Sequence, residues 1–470
     1  MTITNHTNIV IINSDFIKMT TTSYFIICNK EENCRFGWIL HNEFHYCDGI
    51  NVLPKTNLDL KEGFYFIDSK NIFNDLDSLH GIGFYLRSVT LPTSDEDFKM
   101  VPRFDNRAWY ANKIILGERM ELSKVETIEY LVNNGVDIHY KNDYLLVWAS
   151  EQGYTDIVRY LILHGADFRT DHHSALCLAA KNGHLGVVKL LVEFGADINN
   201  NKEIYQGNHS ILSLACENGH LNLVTYLVSV GADIHANNNY PLIAAAKGGH
   251  LDIIKYLVSI GANINNYFVH NGFYKYNITA IGEASDNNKL NVVKYLLENG
   301  VDVQVCDNVA VINASNRGHL DLVKYLIEKG ADVKTTNIAL IKAIDNSHFD
   351  VAKYLVLVGA PIQTNQSDAL KVAAQTGNLD MVKYLCESNP NLDINRALDC
   401  ALFISRYGSD DDDHDVLKYL ISKESEKKPT YTIQFASKQD YLRVINQMIN
   451  NDAKIHVDNV DDKHVVQWSF

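Results

Sequence analysis

Five histidines stand at one place in a recurring phrase. His184, His220, His250 and His319 each follow a glycine, and His348 occupies the matching place in "SHFD". Imidazole is a common metal ligand, so a spaced row of them raises the question of a metal array. A bound zinc needs three or four donors converging on one centre, and each copy of the phrase supplies a single histidine. The row is expected to cap and pack, and not to ligate.

Two other sets invite the same test. Cys28, Cys34, His41, His45 and Cys47 are possible zinc donors, but their spacings fit no standard finger and the surrounding residues are strand formers. The acidic run Asp410–Asp413, within "SRYGSDDDDHD", lacks the alternating ligands, the glycine and the distal glutamate of a calcium loop. It reads as a solvated loop. No nucleophile–base pair, phosphate-cradling loop or metal set stands out along the recurring phrases. The expectation is a chain that is not an enzyme, with no catalytic residue, cofactor or metal.

The chemistry of contact remains. "NNYFVHNGFYKYN" (Asn265–Asn277) gathers Tyr267, Phe268, Phe273, Tyr274 and Tyr276 within ten residues. A projecting loop has too few neighbours to bury five rings, and exposed aromatic patches mark interfaces. These five are the expected partner-binding residues. The alternative is that Tyr267 and Phe268 fold back onto an adjacent loop and fill a gap.

The elements that must carry such a loop repeat along the chain. "GHLDLVKYLIEKGADV" (Gly318–Val333) returns as "GHLDIIKYLVSIGANI" (Gly249–Ile264) and "GHLGVVKLLVEFGADI" (Gly183–Ile198). A helix signature of the form apolar-apolar-basic-Tyr-Leu recurs from Ile128–Leu131 to Val416–Leu420, with a degraded copy in "VINQMI" (Val444–Ile449). The glycines that close it, Gly135, Gly165, Gly195, Gly231, Gly261, Gly300, Gly330 and Gly359, are spaced 30, 30, 36, 30, 39, 30 and 29 residues apart. A fixed period in this range marks a solenoid. Leu322, Val323, Leu326 and Ile327 form one helical stripe that needs a neighbour. Gly330 follows as a left-handed C-cap, and Ala310, Ala314 and Ser315 upstream let a first helix approach closely.

This pattern resembles the ankyrin repeat from about Glu118 to Phe470, most closely in "AAKNGHLGVVKLLVEFGADI" (Ala179–Ile198). The usual unit is about 33 residues. Most units here are shorter, in the finger that joins one helix pair to the next, and the family's Thr-Pro-Leu-His turn survives only in fragments such as "YPLI" (Tyr240–Ile243). The resemblance implies a mainly α fold, a solenoid of about ten to eleven helix pairs, binding a protein partner through its concave face and fingers. Insertions depart from the period at Asn199–Asn208, Asn265–Asn277 and Ser405–Asp415.

Residues 1–117 do not repeat. "YFIIC", "GFYFID" and "GFYLRSVTLP" read as strands and Asn71–Leu79 as a short helix, giving a small N-terminal α+β domain before an array over 118–470. That domain is expected to cap the first helix pair, whose first helix would hold Met120 and Leu122, with Trp109, Ile114 and Leu116 facing the array. Together with the units that follow, it is similar to the large ankyrin-repeat family of mimivirus-type giant viruses. The similarity implies a protein made in the cytoplasm of an infected cell, with a host or viral protein as partner. "EGFYFIDSKNIF" also resembles a strand of ADP-ribosyltransferases, although that family's His-Gly pair and catalytic glutamate have no assigned positions here. An enzyme site in residues 1–117, or an adaptor that recruits host proteins to ubiquitination machinery, are the alternatives to a plain scaffold. For an F-box-like recruiter, the tail "VDNVDDKHVVQWSF" is too short.

Composition bounds these readings. At 470 residues the chain exceeds one ordinary core, and a net charge of −15 disfavours nucleic acid as partner. No stretch approaches the roughly 18 apolar residues of a membrane span, and "MTITNHTNIVIINSDFIKM" lacks the form of a signal peptide. Eight scattered cysteines without a CxxC pair fit reduced thiols inside a cell. A monomer is expected.

Overall fold

The computed structural model describes residues 23–28, 48–52, 63–72, 85–103, 107–169, 174–199, 210–265, 267–271, 275–333, 338–364, 368–407, 412–427, 431–435, 454–460 and 463–469. The chain divides into two compact units, Met1–Asp233 and Ile234–Phe470, and each is described by itself. The boundary expected at 117/118 falls inside the first.

The first unit opens with strands β1 (Tyr24–Cys28), β2 (Gly49–Val52), β3 (Phe64–Asp68), β4 (Tyr85–Thr90), β5 (Met100–Pro102), β6 (Ala108–Ala111), β7 (Lys113–Leu116) and β8 (Met120–Glu121). They form one sheet in the order β2-β7-β4-β1-β3-β6-β5, with β8 on β4. The three strands expected from the sequence are β1, β3 and β4, while the helix expected over Asn71–Leu79 lies outside the described residues beyond Ile72. One face holds a core of Ile26, Phe64, Phe66, Met100, Ile114 and Leu116, with Trp109 packed against it. Arg87 is buried in the sheet, where its Nε donates to the Gly117 carbonyl at 3.0 Å and its Nη2 pairs with Asp48.

Seven helices follow: α1 (Val125–Asn133), α2 (Tyr140–Gln152), α3 (Thr155–Leu163), α4 (Ser174–Lys181), α5 (Leu185–Glu193), α6 (Ile211–Glu217) and α7 (Leu221–Ser229). The sheet meets α1 through Phe25 and Ser23, where Trp109, Ile114 and Leu116 were the expected contacts. The Phe25 ring meets Tyr130 edge-on at 6.2 Å, and Ser23 Oγ donates to Asn134 Oδ1 at 3.1 Å. Strands alternate their faces, so Phe25 turns to α1 while Ile26 joins the sheet's own core with Ile114 and Leu116. The expected first helix around Met120 and Leu122 is replaced by β8 and a turn, so α1 has the sheet where later units have a helix.

The second unit contains α8 (Ala236–Gly248), α9 (Leu251–Ser259), β9 (Tyr267–Asn271), β10 (Lys275–Thr279), α10 (Ala280–Asp286), α11 (Leu290–Glu298), α12 (Val305–Asn316), α13 (Leu320–Glu328), α14 (Ile338–Asp345), α15 (Phe349–Leu357), α16 (Ala369–Gln375), α17 (Leu379–Ser388), α18 (Asn395–Tyr407) and α19 (Asp412–Lys427). Beyond α19 the described residues are strands, not helix pairs: β11 (Tyr431–Phe435), β12 (Lys454–Val460) and β13 (Lys463–Ser469), in the order β11-β13-β12. The degraded copy at Val444–Ile449 lies outside the described residues.

The helix pairs follow from the repeated pattern. α13 buries Leu322, Val323 and Leu326, and Ile327 at the edge of the stripe is half-buried. All eight closing glycines have φ between 86° and 107°, the left-handed region expected of C-caps. Neighbouring second helices are also linked on their outer side. In the second unit the ammonium groups of Lys255, Lys294, Lys324, Lys353 and Lys383 lie 5.6, 5.6, 5.8, 5.7 and 5.9 Å from the rings of Tyr295, Tyr325, Tyr354, Tyr384 and Tyr419. These separations are within cation–π range. Lys189 and Tyr226 make the same pair in the first unit at 5.3 Å.

Three of the 30-residue units show how the finger is shortened. α2, α8 and α12 each begin with three consecutive left-handed residues: Lys141–Asp143, Asn237–Asn239 and Cys306–Asn308, with φ from 48° to 64°. The third residue of each is buried and bonded. Asp143 Oδ1 meets His139 Nδ1 at 2.8 Å, and Asn239 Oδ1 meets His235 Nδ1 at 2.7 Å. Asn308 Oδ1 accepts the Asp332 backbone N–H of the next finger at 2.8 Å. Asparagine and aspartate tolerate this region better than other side-chain-bearing residues, which explains their abundance there.

Candidate protein-binding surface

The aromatic insertion Asn265–Asn277 folds as a β-hairpin. β9 and β10 pair antiparallel, with Tyr267 opposite Thr279, Phe268 opposite Ile278 and His270 opposite Tyr276. Its base is fixed by Thr279, which is buried and whose Oγ1 accepts the Gly282 N–H at 3.0 Å, capping α10. The hairpin thus brings Tyr267, Phe268 and Tyr276 into one small sheet; Phe273 and Tyr274 lie outside the described residues. Tyr267 keeps 46% of its surface exposed. The finger Asn199–Asn208 lies outside the described residues beyond Asn199.

A second feature had no local signature. The first helices α14, α16 and α18 stand side by side and enclose a groove of about 470 Å³. Ile341, Val372 and Cys400 supply its apolar part; Lys371, Arg396 and Asp399 stand along it. Asp368 is buried, and each of its oxygens accepts a hydrogen bond. It caps α16 by accepting the Lys371 N–H at 3.1 Å, and its other oxygen accepts from Gln363 Nε2 at 2.9 Å. Burial raises the Cys400 thiol above its ordinary value, with the nearby Lys371 opposing the shift. The groove is assembled from three helices spread over sixty residues, Ile341 on the first, Asp368 to Gln375 on the second and Arg396 to Cys400 on the third, so no window of sequence displays it.

The repeated histidines are engaged in linking units. His184 Nε2 donates to the Glu151 carbonyl at 2.8 Å, His220 Nε2 to Lys181 at 2.8 Å and His319 Nε2 to Asp286 at 3.0 Å, each reaching back to the preceding first helix. The ring then lies across that unit's turn. A Cβ built on Gly153 would fall 2.5 Å from His184 Nδ1, and one on Gly318 would fall 2.5 Å from His348 Nδ1. Among the described residues no group of three or more His, Cys, Asp or Glu is placed to hold a metal. Of the tempting zinc set, Cys28 is buried in the sheet core, and Cys34, His41, His45 and Cys47 lie outside the described residues. Cys177 and Cys216 are buried in the first helices α4 and α6, and desolvation pushes the Cys177 thiol up to about 12 and Cys216 further. Such thiols stay protonated and are poor nucleophiles. No helix among the described residues is long and apolar enough to cross a membrane.

Comparison with known proteins agrees with this architecture. The family pattern described as "Ankyrin repeats (3 copies)" matches residues 120–202, 212–307, 281–366 and 310–398, more than half of the chain. Ankyrin repeat protein R896 of Acanthamoeba polyphaga mimivirus is 36% identical over 134 residues, 27% of this chain and 37% of its own length. Ankyrin repeat protein R229 of the same virus is 44% identical over 96 residues, 20% of this chain and 30% of its own. The uncharacterised protein R869 of that virus is 35% identical over 142 residues, 29% of this chain and 94% of its own. The chain therefore spans about a third of the length of the first two. Among solved structures, the human ASB11 ankyrin repeat domain aligns with a TM-score of 0.37 at 23% identity, over 46% of this chain and 98% of that one. From its repeated helix pairs, its left-handed glycine caps and the family match over most of the array, this chain belongs to the ankyrin-repeat proteins and is related to those of mimivirus.

Proposed function

We propose that the chain is a non-catalytic scaffold that binds a protein partner through the exposed face of its first helices and fingers. Ankyrin repeats are generally protein-binding modules, and the observation that carries the reading here is the aromatic hairpin Tyr267–Thr279. It lengthens one finger, is anchored at its base by Thr279, and leaves Tyr267 substantially exposed. Tyr267, Phe268, Phe273, Tyr274 and Tyr276 are the proposed contacts. Against catalysis stand the histidines, committed to backbone carbonyls, and the buried thiols held protonated by desolvation. Relatives from a giant virus support a partner met inside an infected cell.

A photo-crosslinking residue placed at Tyr267 or Gln375, and separately at Glu298 or Glu328 on second helices, tests this in infected cells. Crosslinks to one discrete protein from the first pair of positions and not from the second are expected. Crosslinks chiefly from Glu298 and Glu328 would overturn it.

A further inference from the structure

Resting on that reading, we infer that the groove between α14, α16 and α18 takes an extended segment of the partner in which an acidic residue flanks an aliphatic one. The inference comes from how the polar groups of the groove are engaged. Asp368, its buried carboxylate, accepts one bond at each oxygen from neutral donors, the Lys371 N–H and Gln363 Nε2. Among the described residues neither Lys371 Nζ nor the Arg396 guanidinium meets a carboxylate at ion-pair distance.

Two cations without an ion-pair partner among the described residues stand in the first turns of α16 and α18. Arginine and lysine so placed recruit carboxylates, arginine in a two-pronged geometry. Next to them along the helices lie Ile341 and Val372, half-buried and able to accept an aliphatic side chain. One turn further along α18, Asp399 is exposed and would repel a second acid there. The lining sets the composition of the segment: a carboxylate for Lys371 and Arg396, an aliphatic group for Ile341 and Val372, and no acid beside Asp399. A groove of about 470 Å³ is within the range of small specific sites and holds a few residues, not a domain.

A phage-displayed library of random dodecapeptides, panned on the immobilised full chain, tests this. Enriched clones are expected to share an acidic residue beside Leu, Ile or Val. Their binding should fall by about tenfold or more on the variant carrying Lys371→Glu and Arg396→Glu, and re-panning on that variant should select basic residues at the same position. Both substitutions are at sites that are not buried, and an unchanged melting curve checks that the fold is kept. Val372→Asp should also release the clones. Clones without an acidic preference, or clones that bind the double variant as well as the parent, overturn the inference. Clones that depend on the hairpin alone overturn it too, while leaving the scaffold reading in place; failure of the crosslinking experiment removes the scaffold reading separately.

Discussion

The imidazole of His184 lies across Gly153: its Nε2 holds the Glu151 carbonyl at 2.8 Å, and its Nδ1 fills the space that a Cβ on Gly153 would need. The glycine is required twice, once for its φ of 80° and once for the ring on top of it.

The comparison of two glycines separates these demands. Gly231 has a φ of 95° and open space where a Cβ would go, so Gly231→Ala should cost about 1 kcal/mol from backbone strain alone. Gly153→Ala should cost roughly 2–4 kcal/mol, because the anchored ring must also move. Denaturant midpoints of the two variants measure the difference. Equal losses would show that the histidine yields freely.

Ser285 and Ser315 sit three residues before the turn, a position filled by Ala180, Ala246 and Ala374 in other units. Both are fully buried, and neither hydroxyl has a hydrogen-bond partner among the described residues. Removing an unpaired buried hydroxyl recovers its desolvation cost, so Ser285→Ala and Ser315→Ala should each stabilise by about 1 kcal/mol. Urea unfolding of the single variants checks the sign.

Asn308 should be hard to replace. Its side chain accepts the Asp332 N–H from the next finger, and its own φ is 64°. Asn308→Ala should cost about 2–3 kcal/mol, through an unpaired backbone donor and a less tolerant left-handed residue. Asn308→Asp keeps the acceptor and the backbone preference and should cost clearly less. Hydrogen exchange at the Asp332 amide reads the bond directly.

Cys177 gives a pH dependence with a definite sign. Burial raises its thiol from 9.0 to about 12, so the folded state keeps a proton that the unfolded chain releases. Its contribution is complete below pH 9 and is lost as pH rises towards 12. Cys177→Ala should therefore flatten the fall of the urea midpoint between about pH 8.5 and 10.5. At neutral pH the native thiol should resist alkylation until the protein unfolds.

Much of this architecture is legible from periodicity, because α13 and its counterparts bury positions that recur with helical spacing and end on glycines that need positive φ. The strands β1, β3 and β4 are legible from their aromatic and β-branched runs. Other features escape for physical reasons. The left-handed turns leave the helical and extended templates altogether; their trace is the spacing of His139 to Asp143 and His235 to Asn239, intelligible only once the bond between those residues is known. Apolar character and nearness in sequence point to Trp109, Ile114 and Leu116 as the cover over α1. The sheet has two buried faces, and Phe25, distant along the chain, supplies the contact. The groove depends on three helices being adjacent, which no single one of them encodes.

The lysine–tyrosine pairs also bear on how such a protein lengthens. The units of α11, α13, α15 and α17 each contribute one lysine forward and one tyrosine backward, as Lys324 reaches Tyr354 while Tyr325 receives Lys294. An in-frame duplication of a whole unit therefore arrives with both halves of the junctions it creates, and no existing pair loses its partner. A duplication that begins or ends between two units' matching positions breaks the pattern at once. The bonding scheme makes the unit a self-compatible tile, so growth by copying is conservative here in a way that substitution of single residues is not.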